Sequence, residues 1–264
     1  MLYSSSDTLL AIDTASPCCA VALQYQGAVF SDGIDAQSSH GEQVLNLLDK
    51  VITQAGLSPP DLMAQLDAVV VSRGPGSFTG VRIGVAAAQG LAYGSSVPLI
   101  GVSSLAAMAH SALAAPCLVD ATELAILVAV DARMDELYWA LYYFKAASMA
   151  LVLGPRVGAL NQLVDQLHAR LDGGPLVAVA DERVLASFDS HLPSFTPLSE
   201  QVDARHLLRL VAKDDVFLKQ PMASEHAGIM IANQGDALEP LYLRNDVAWE
   251  KRTKIRQTAD CGNI

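Results

Sequence analysis

The sequence predicts an α/β fold of two lobes, in which each lobe is a mixed sheet flanked by helices. Three observations lead to this prediction. The chain has 264 residues, which is enough for two lobes of roughly 100–150 residues each. Up to Ser104, strand-like and helical patterns follow one another in the order β-β-β-α-β-α-β-α. A second and less regular round of such patterns begins at Leu124.

Three strand-like runs open the chain, at residues 9–15, 19–25 and 28–34. The pair Gln26-Gly27 is a turn signal between the second and third runs. We therefore expect the three strands to form an antiparallel meander.

The first long helix is predicted from Ser39 to Ala55, because apolar residues recur there at helical spacing. The apolar positions are Val44, Leu47, Leu48, Val51, Ile52 and Ala55. Ser39 can cap this helix, and Glu42 three residues later completes a capping box. Gly56 and the Pro59-Pro60 pair are expected to end it.

The rest of the first lobe alternates between strands and helices. The sequence predicts a buried strand at residues 68–71, a helix at 81–93, a strand at 98–102 and a helix from Ser104. This order is the repeating unit of the actin-like, Hsp70-like and sugar-kinase (ASKHA) fold, in which two lobes face each other across a cleft. Parallel strands with helical crossovers place functional sites at their carboxyl ends.

The second round of patterns is predicted to form the other lobe. A run at residues 124–131 pairs with one at 136–144. A helix at residues 160–171, a strand at 176–180 and a helix at 204–213 follow.

We expect three regions along the chain. Residues 1–104 form the N-terminal lobe, and residues 105–250 form the C-terminal lobe. Whether the last helix of the C-terminal lobe packs on the N-terminal lobe is left open. Residues 251–264 form a basic tail.

A glycine-rich turn joins the strand at 68–71 to the following helix. Gly74, Gly76 and Gly80 could let backbone N–H groups point at an anion. The turn nevertheless lacks the dinucleotide pattern, since Thr79 stands where the third glycine belongs, and it lacks the lysine of a P-loop. A tight strand-to-helix connection is the favoured interpretation, with Ser77 or Thr79 capping the helix. Gly74, Gly76 and Ser77 remain weak candidates for cofactor binding.

Asp13 is a further weak candidate, at the end of the first strand. In the actin-like fold an acidic residue there orients a metal or water beside nucleotide phosphates. The following run Thr14-Ala15-Ser16 lacks the glycine typical of kinase members. Capping of a turn by Asp13 is therefore the favoured alternative.

Composition narrows the function classes. Apolar residues make up 52% of the chain and charged residues only 17%, so some exposed apolar surface is expected to be a partner face. The net charge of −11 argues against broad, non-specific binding to nucleic acid. The exception is the C-terminus, which carries five basic residues. They are Arg244, Lys251, Arg252, Lys254 and Arg256.

The cysteines and the apolar runs suggest a reduced, cytoplasmic protein that does not enter a membrane. The four cysteines are Cys18, Cys19, Cys117 and Cys261, with no Cys-x-x-Cys pair. The longest apolar run, residues 105–119, is interrupted by His110, Ser111 and Pro116. No basic region precedes the first apolar run, so we expect no signal peptide.

Several motifs, taken together and in order, resemble one protein family. They are residues 9–16, 19–25, 72–84, 98–105, 130–140 and 239–245. This set resembles the bacterial TsaB (YeaZ) family, from about Leu9 to Lys251 and least between Asp203 and Leu238. The resemblance implies a non-catalytic scaffold in the machinery that forms N6-threonylcarbamoyladenosine at position 37 of ANN-decoding tRNAs.

The resemblance also implies partners. A TsaD-like subunit would carry the catalytic chemistry, a TsaE-like ATPase would join the pair, and tRNA would be contacted only indirectly. TsaD proteins hold a metal with a His-x-x-x-His pair, and the matching positions here are Ser104 and Met108, so no metal or other cofactor is expected. His110 lies two residues after Met108, so it does not match either ligand position. Whether the isolated chain forms a homodimer is left open.

The predicted partner face lies on the first two long helices. The helix at 81–93 has small residues at every fourth position, which allow another backbone to approach. The predicted interface residues are His40, Val44, Leu48, Gly80, Gly84, Ala88 and Ala92. Packing of the small residues onto the chain's own sheet is the structural alternative. An autonomous actin-fold kinase or nucleotide hydrolase is the alternative function; a peptidase finds no supporting Ser-His-Asp, zinc or cysteine pattern.

Overall fold

The computed structural model is an α/β fold with two mixed sheets flanked by helices, as the sequence predicted. It describes residues 3–16, 18–35, 40–118, 120–171, 173–192, 194–199, 204–212, 228–233 and 237–244, with the side chain of His40 left out. Within these residues, no helix is long and apolar enough to cross a bilayer.

The first sheet has six strands in the order β11-β5-β4-β1-β2-β3. Its strands are β1 (Leu9–Asp13), β2 (Cys18–Tyr25), β3 (Ala28–Asp35), β4 (Ala68–Ser72), β5 (Leu99–Val102) and β11 (Met230–Ala232). The expected antiparallel meander of β1, β2 and β3 is confirmed. Strands β1, β4 and β5 are parallel, so their carboxyl ends lie at the same edge of the sheet.

The second sheet has five strands in the order β10-β9-β6-β7-β8. Its strands are β6 (Glu123–Arg133), β7 (Glu136–Lys145), β8 (Ser148–Ala159), β9 (Leu176–Ala180) and β10 (Thr196–Ser199). Strands β6 to β8 form a second antiparallel meander, and β9 and β10 continue the sheet in parallel.

The helices form three layers around the sheets. They are α1 (His40–Gln54), α2 (Pro59–Gln65), α3 (Phe78–Ser95), α4 (Ser104–Ala112), α5 (Leu160–His168), α6 (Glu182–Phe188) and α7 (Ala204–Val211). Helices α1, α2 and α3 cover the outer face of the first sheet. Helices α4 and α7 lie between the two sheets, and α5 and α6 cover the outer face of the second.

The side chains of β1 point alternately into two of these layers. Leu10 and Ile12 face the outer helices, whereas Leu9 and Ala11 face the layer between the sheets. Every residue of β1 is buried, which is the pattern of a parallel strand covered on both faces.

The end of the described chain returns to the first lobe. Helix α7 packs on β1 and β2, and β11 pairs antiparallel with β5 at the edge of the first sheet. That the last helix packs back on the first lobe stays a prediction. The division at residues 104 and 250 stays a prediction, and residues 251–264 lie outside the described part.

Several elements were not predicted from the sequence. They are α2, β8, α6, β10 and β11. The sequence analysis took Pro59-Pro60 only as the end of α1. In the structure these prolines begin α2, with Ser58 as its N-cap and Asp61 completing a capping box, because proline fits the first turn of a helix. The predicted Ser39–Glu42 capping box lies outside the described residues.

Candidate functional site

The carboxyl end of β1 is a buried turn organised by Asp13. The Asp13 carboxylate is fully buried and accepts hydrogen bonds from the Ala15 N–H at 3.2 Å and the Ser16 hydroxyl at 3.1 Å. Burial raises the pKa of Asp13 to about 6, and hydrogen bonds from Ser72, Ala15 and Ser16 partly oppose that rise. These contacts favour the turn-capping interpretation of Asp13 over metal or nucleotide binding.

The glycine-rich turn packs directly against the Asp13 turn. The Ser77 N–H donates to the Ala15 carbonyl at 2.7 Å, and a Cβ placed on Gly76 would lie 2.3 Å from that same oxygen. Gly74 has a φ of +91°, and its carbonyl accepts from the Ser104 N–H at 2.9 Å. These three residues therefore hold the turn against the rest of the chain, as a tight connection requires.

Ser77 also caps α3, so the structure selects it over Thr79, the other cap that the sequence left open. Its side chain accepts from the Gly80 N–H at 3.2 Å, and its carbonyl accepts from the Val81 N–H at 2.9 Å. Two of the N–H groups that could have pointed at an anion are thus bound within the chain. These contacts within the chain do not support cofactor binding by Gly74, Gly76 or Ser77.

Ser104 and Met108, which the resemblance matches to the metal ligands of TsaD proteins, are buried between the sheets. The Ser104 hydroxyl shares a hydrogen bond of 2.8 Å with the Ser72 hydroxyl, and Met108 packs in the core. His110 instead meets His206 of α7, with 3.0 Å between their Nδ1 atoms. In the part of the chain that the structure describes, no three His, Cys, Asp or Glu side chains are grouped to share a metal ion.

The stripe of small residues on α3 faces the chain's own sheet. Gly80, Gly84, Ala88 and Ala92 are all buried in the described structure. A Cβ on Gly80 would lie 2.0 Å from the Thr14 carbonyl oxygen, and a Cβ on Gly84 would lie 2.2 Å from the Thr14 hydroxyl. The small residues thus let α3 approach the turn after β1. Their packing agrees with the alternative in which they contact the chain's own sheet.

Two predicted positions on α1 also face inward. Val44 and Leu48 are buried with the residues of the first sheet. His40 begins α1, but its side chain lies outside the described set. The six described positions of the predicted interface are therefore buried in the isolated chain. That α1 and α3 form the partner face stays a prediction.

The opposite side of the same two helices exposes several apolar or small side chains. Phe78 is 63% exposed, Tyr93 is 70% exposed and Leu45 is 59% exposed, and between them Ala86 and Gly90 are also exposed. We call this set, Leu45, Phe78, Ala86, Gly90 and Tyr93, the outward face. Both sides of α3 carry small or apolar residues, so helical periodicity alone could not show which side meets the sheet.

A C-terminal segment, residues 237–244, spans the two lobes. Leu238 is buried in the core of the first lobe, and the Leu241 N–H donates to the Arg73 carbonyl at 2.7 Å. The guanidinium of Arg82 on α3 lies 5.0 Å from the ring centre of Tyr242, which extends the segment's contacts along the first lobe. Its last described residue, Arg244, forms an ion pair with Glu136 of β7.

Comparisons with known proteins agree on one family. A family model described as "TsaD: tRNA N6-adenosine threonylcarbamoyltransferase" matches residues 33–250. The chain is 34% identical over 257 residues to the tRNA threonylcarbamoyladenosine biosynthesis protein TsaB of Escherichia coli K12, covering 92% of this chain and 97% of that one. It is 32% identical over 258 residues to the TsaB protein of Haemophilus influenzae, covering 92% and 96%.

Solved structures lead to the same family. A Pseudomonas aeruginosa protein described as similar to the peptidase YEAZ superposes with a TM-score of 0.70 at 27% identity, covering 90% of this chain and all of that one. YeaZ from Pseudomonas aeruginosa superposes with a TM-score of 0.61 at 29% identity, covering 76% and 89%. The order of strands and helices, the two sheets and these similarities together show that the chain belongs to the TsaB (YeaZ) family, with its actin-like two-lobe fold.

Proposed function

We propose that this chain is a non-catalytic subunit that holds a TsaD-like subunit active while N6-threonylcarbamoyladenosine is formed in tRNA. The relatives named TsaB act in the biosynthesis of that nucleoside, as their names state. The observation that carries the scaffold role is the outward face of α1 and α3. It exposes two aromatic side chains and a leucine beside small residues, which is the composition of a protein interface.

The interior of the chain supports the same proposal. The carboxylate of Asp13 and the glycine-rich turn are engaged in contacts within the chain. Ser104 and Met108 occupy the positions of the TsaD metal ligands, and a hydroxyl and a thioether cannot replace two imidazoles. The chain's contribution to the reaction is then to bind and position its partner.

The outward face also fits self-association. A second copy of this chain could cover the same apolar side chains when no TsaD-like subunit is present, and the two partners would then compete. A TsaE-like ATPase is proposed to join the pair, and tRNA is proposed to contact the TsaD-like subunit, because this chain is strongly acidic.

Omission experiments test the activity. The purified chain, its TsaD-like subunit, the TsaE-like ATPase and tRNA are combined with the threonylcarbamoyl-adenylate donor, and each protein is left out in turn. We expect modified tRNA only when this chain and the TsaD-like subunit are both present. Metal-dependent ATP turnover by this chain alone, abolished by Asp13→Ala, would overturn the scaffold role and support the autonomous enzyme.

A variant of the outward face tests the interface. Ala86→Glu places a carboxylate at the middle of the face, where a dry contact would bury it. We expect it to weaken binding to the TsaD-like subunit by about a hundredfold or more, with unchanged circular dichroism and melting temperature. The matched control is Ala186→Glu, an exposed alanine of α6 in the other lobe, which should bind normally. Equal binding by both variants would show that the interface lies elsewhere.

A further inference from the structure

A charged side chain lies among the residues of the outward face. Four residues spaced by four along α3 share one side of the helix: Phe78, Arg82, Ala86 and Gly90. Arg82 is the charged member of this row, next to the exposed ring of Phe78. In the described part of the chain, no carboxylate forms an ion pair with it. A partner that covers this side of α3 must therefore also cover a positive charge.

The guanidinium of Arg82 is held in place before any partner binds. It donates to the Phe78 carbonyl at 2.8 Å, and its Cζ atom lies 3.3 Å from the centre of the Phe78 ring. The centre of the Tyr242 ring lies 5.0 Å from the same atom. Contact with the faces of two aromatic rings favours a cation at this position. The remaining N–H groups have no acceptor among the described residues, so they are left for an acceptor on another molecule.

Tyr242 brings the C-terminal segment to the edge of the outward face. Its side chain is 51% exposed, as a residue available for contact should be. The segment is anchored just before it, because the Gln89 side chain of α3 donates to the Leu238 carbonyl at 3.3 Å. Leu238 also packs over Gly101 of β5, where an added Cβ would lie 2.9 Å from it. The Tyr242 ring therefore extends the outward face beyond α3, in a position set by contacts with the first lobe.

The cost of covering Arg82 decides the chemistry of the partner. A guanidinium does not lose its proton in proteins, so its burial cannot be relieved by neutralisation. An unpaired charge in a dry contact is strongly unfavourable, whereas a carboxylate accepts two parallel hydrogen bonds from an arginine. A two-fold contact between copies of this chain along the same row would bring a second Arg82 into the interface. Charge complementarity thus favours a different protein with an acidic residue at this point.

We infer that the TsaD-like subunit places an aspartate or glutamate on Arg82, with apolar side chains around it that cover Phe78 and Tyr242. This inference rests on the proposed function, in which that subunit binds the outward face. It adds a charged contact and the C-terminal segment to the interface. The two rings beside Arg82 exclude water from the ion pair, which strengthens it. A partner surface with apolar groups alone would leave the arginine unpaired and is rejected.

Affinity measurements test the charge and the ring separately. Arg82→Gln should weaken binding of the TsaD-like subunit at least about tenfold, whereas Arg170→Gln, an exposed arginine just after α5, should leave it unchanged. Tyr242→Ala should weaken binding about fivefold or more, and Tyr242→Phe, which keeps the ring, should bind as the native chain does. Circular dichroism and the melting temperature show whether each variant is folded.

A zero-length crosslink identifies the carboxylate. Arg82→Lys keeps the charge and places an amine at the same position, and a carbodiimide joins an amine to a carboxylate only when the two are in contact. We expect mass spectrometry of the treated complex to find an amide between position 82 and one aspartate or glutamate of the TsaD-like subunit. Changing that residue to its amide should weaken binding of the native chain at least about tenfold, with little further effect on Arg82→Gln.

The outcomes distinguish this inference from the proposed function. If Ala86→Glu abolishes binding while Arg82→Gln binds as well as Arg170→Gln, the outward face is the interface and the inference is overturned. It is also overturned by a crosslink from position 82 to a second copy of this chain, or by a complex that forms normally without a crosslink to the TsaD-like subunit. If Ala86→Glu and Arg82→Gln both bind normally, the proposed interface and the inference fail together.

Discussion

Replacing Gly80 by alanine is the sharpest test of how α3 packs. The added Cβ would lie 2.0 Å from the Thr14 carbonyl oxygen, whereas ordinary contact for a Cβ is 3.4–4 Å. The obstacle is backbone, so either α3 or the turn after β1 must move by more than 1 Å. The Thr14 hydroxyl also donates to the Gly80 carbonyl at 2.8 Å, and that hydrogen bond would be disturbed.

The magnitude follows from three terms, two that lower the stability and one that raises it. Overpacking of a core costs about 1–3 kcal/mol, and the lost hydrogen bond adds about 1 kcal/mol. Alanine in place of glycine returns at most about 1 kcal/mol of helix propensity. We expect Gly80→Ala to lower the free energy of unfolding by about 1–3 kcal/mol and the melting temperature by about 2–12 °C, as scaled for a chain of this size.

Gly90 on the same helix is the matched control. It is exposed, and no atom lies within 4 Å of a Cβ placed on it, so Gly90→Ala should gain the propensity term alone. We expect it to raise the melting temperature of the isolated chain by about 2–4 °C. Urea unfolding followed by circular dichroism measures both variants. Equal stabilisation by the two alanines would refute the inward orientation of the stripe.

A double substitution distinguishes the two close contacts of Thr14. Gly84 approaches the Thr14 hydroxyl, at 2.2 Å from an added Cβ, whereas Gly80 approaches the Thr14 carbonyl. Thr14→Ala should therefore recover much of the stability lost in Gly84→Ala. It should recover almost none of the stability lost in Gly80→Ala, because the carbonyl remains. Rescue of both variants alike would contradict the structure.

Three further predictions concern the same fold. Folding raises the pKa of Asp13 from 3.8 to about 6, so its contribution to stability is fully present well below pH 3.8 and is lost as the pH rises through 6. Asp13→Asn should therefore gain stability relative to the native chain by about 2 kcal/mol more at pH 7.5 than at pH 4. An equal difference in unfolding free energy between the two proteins at both pH values would contradict this. Ser77→Ala removes the side-chain cap of α3 and should cost about 1 kcal/mol, measured by urea unfolding against Ser95→Ala at the other end of the helix. Truncation after Glu250 should leave the melting temperature almost unchanged, because the tail beyond it is largely polar; a fall of many degrees would show that the tail is docked.

The elements that sequence patterns predicted well are those with strong local signals. Strand β9 was predicted with its observed bounds, and the apolar run at residues 68–71 corresponds to β4, which ends one residue later. Ser77 caps α3 and was one of the two caps that the sequence offered, beside Thr79, because a hydroxyl just before a helix satisfies its first N–H groups. The second lobe was predicted less completely, since β8 is interrupted at Gly154 and β10 has only four residues.

The sequence by itself determined the fold class, the order of most strands and helices, and the motifs of the TsaB family. These features follow from hydrophobic periodicity and turn residues, which are set by residues close together in the sequence. Only the tertiary structure decided which side of α3 meets the sheet, since Ala88 and Ala86 are chemically alike but one is buried and the other exposed. It also decided the burial of Asp13 and the packing of Leu238 in the core of the first lobe, which depend on contacts between residues far apart in the chain.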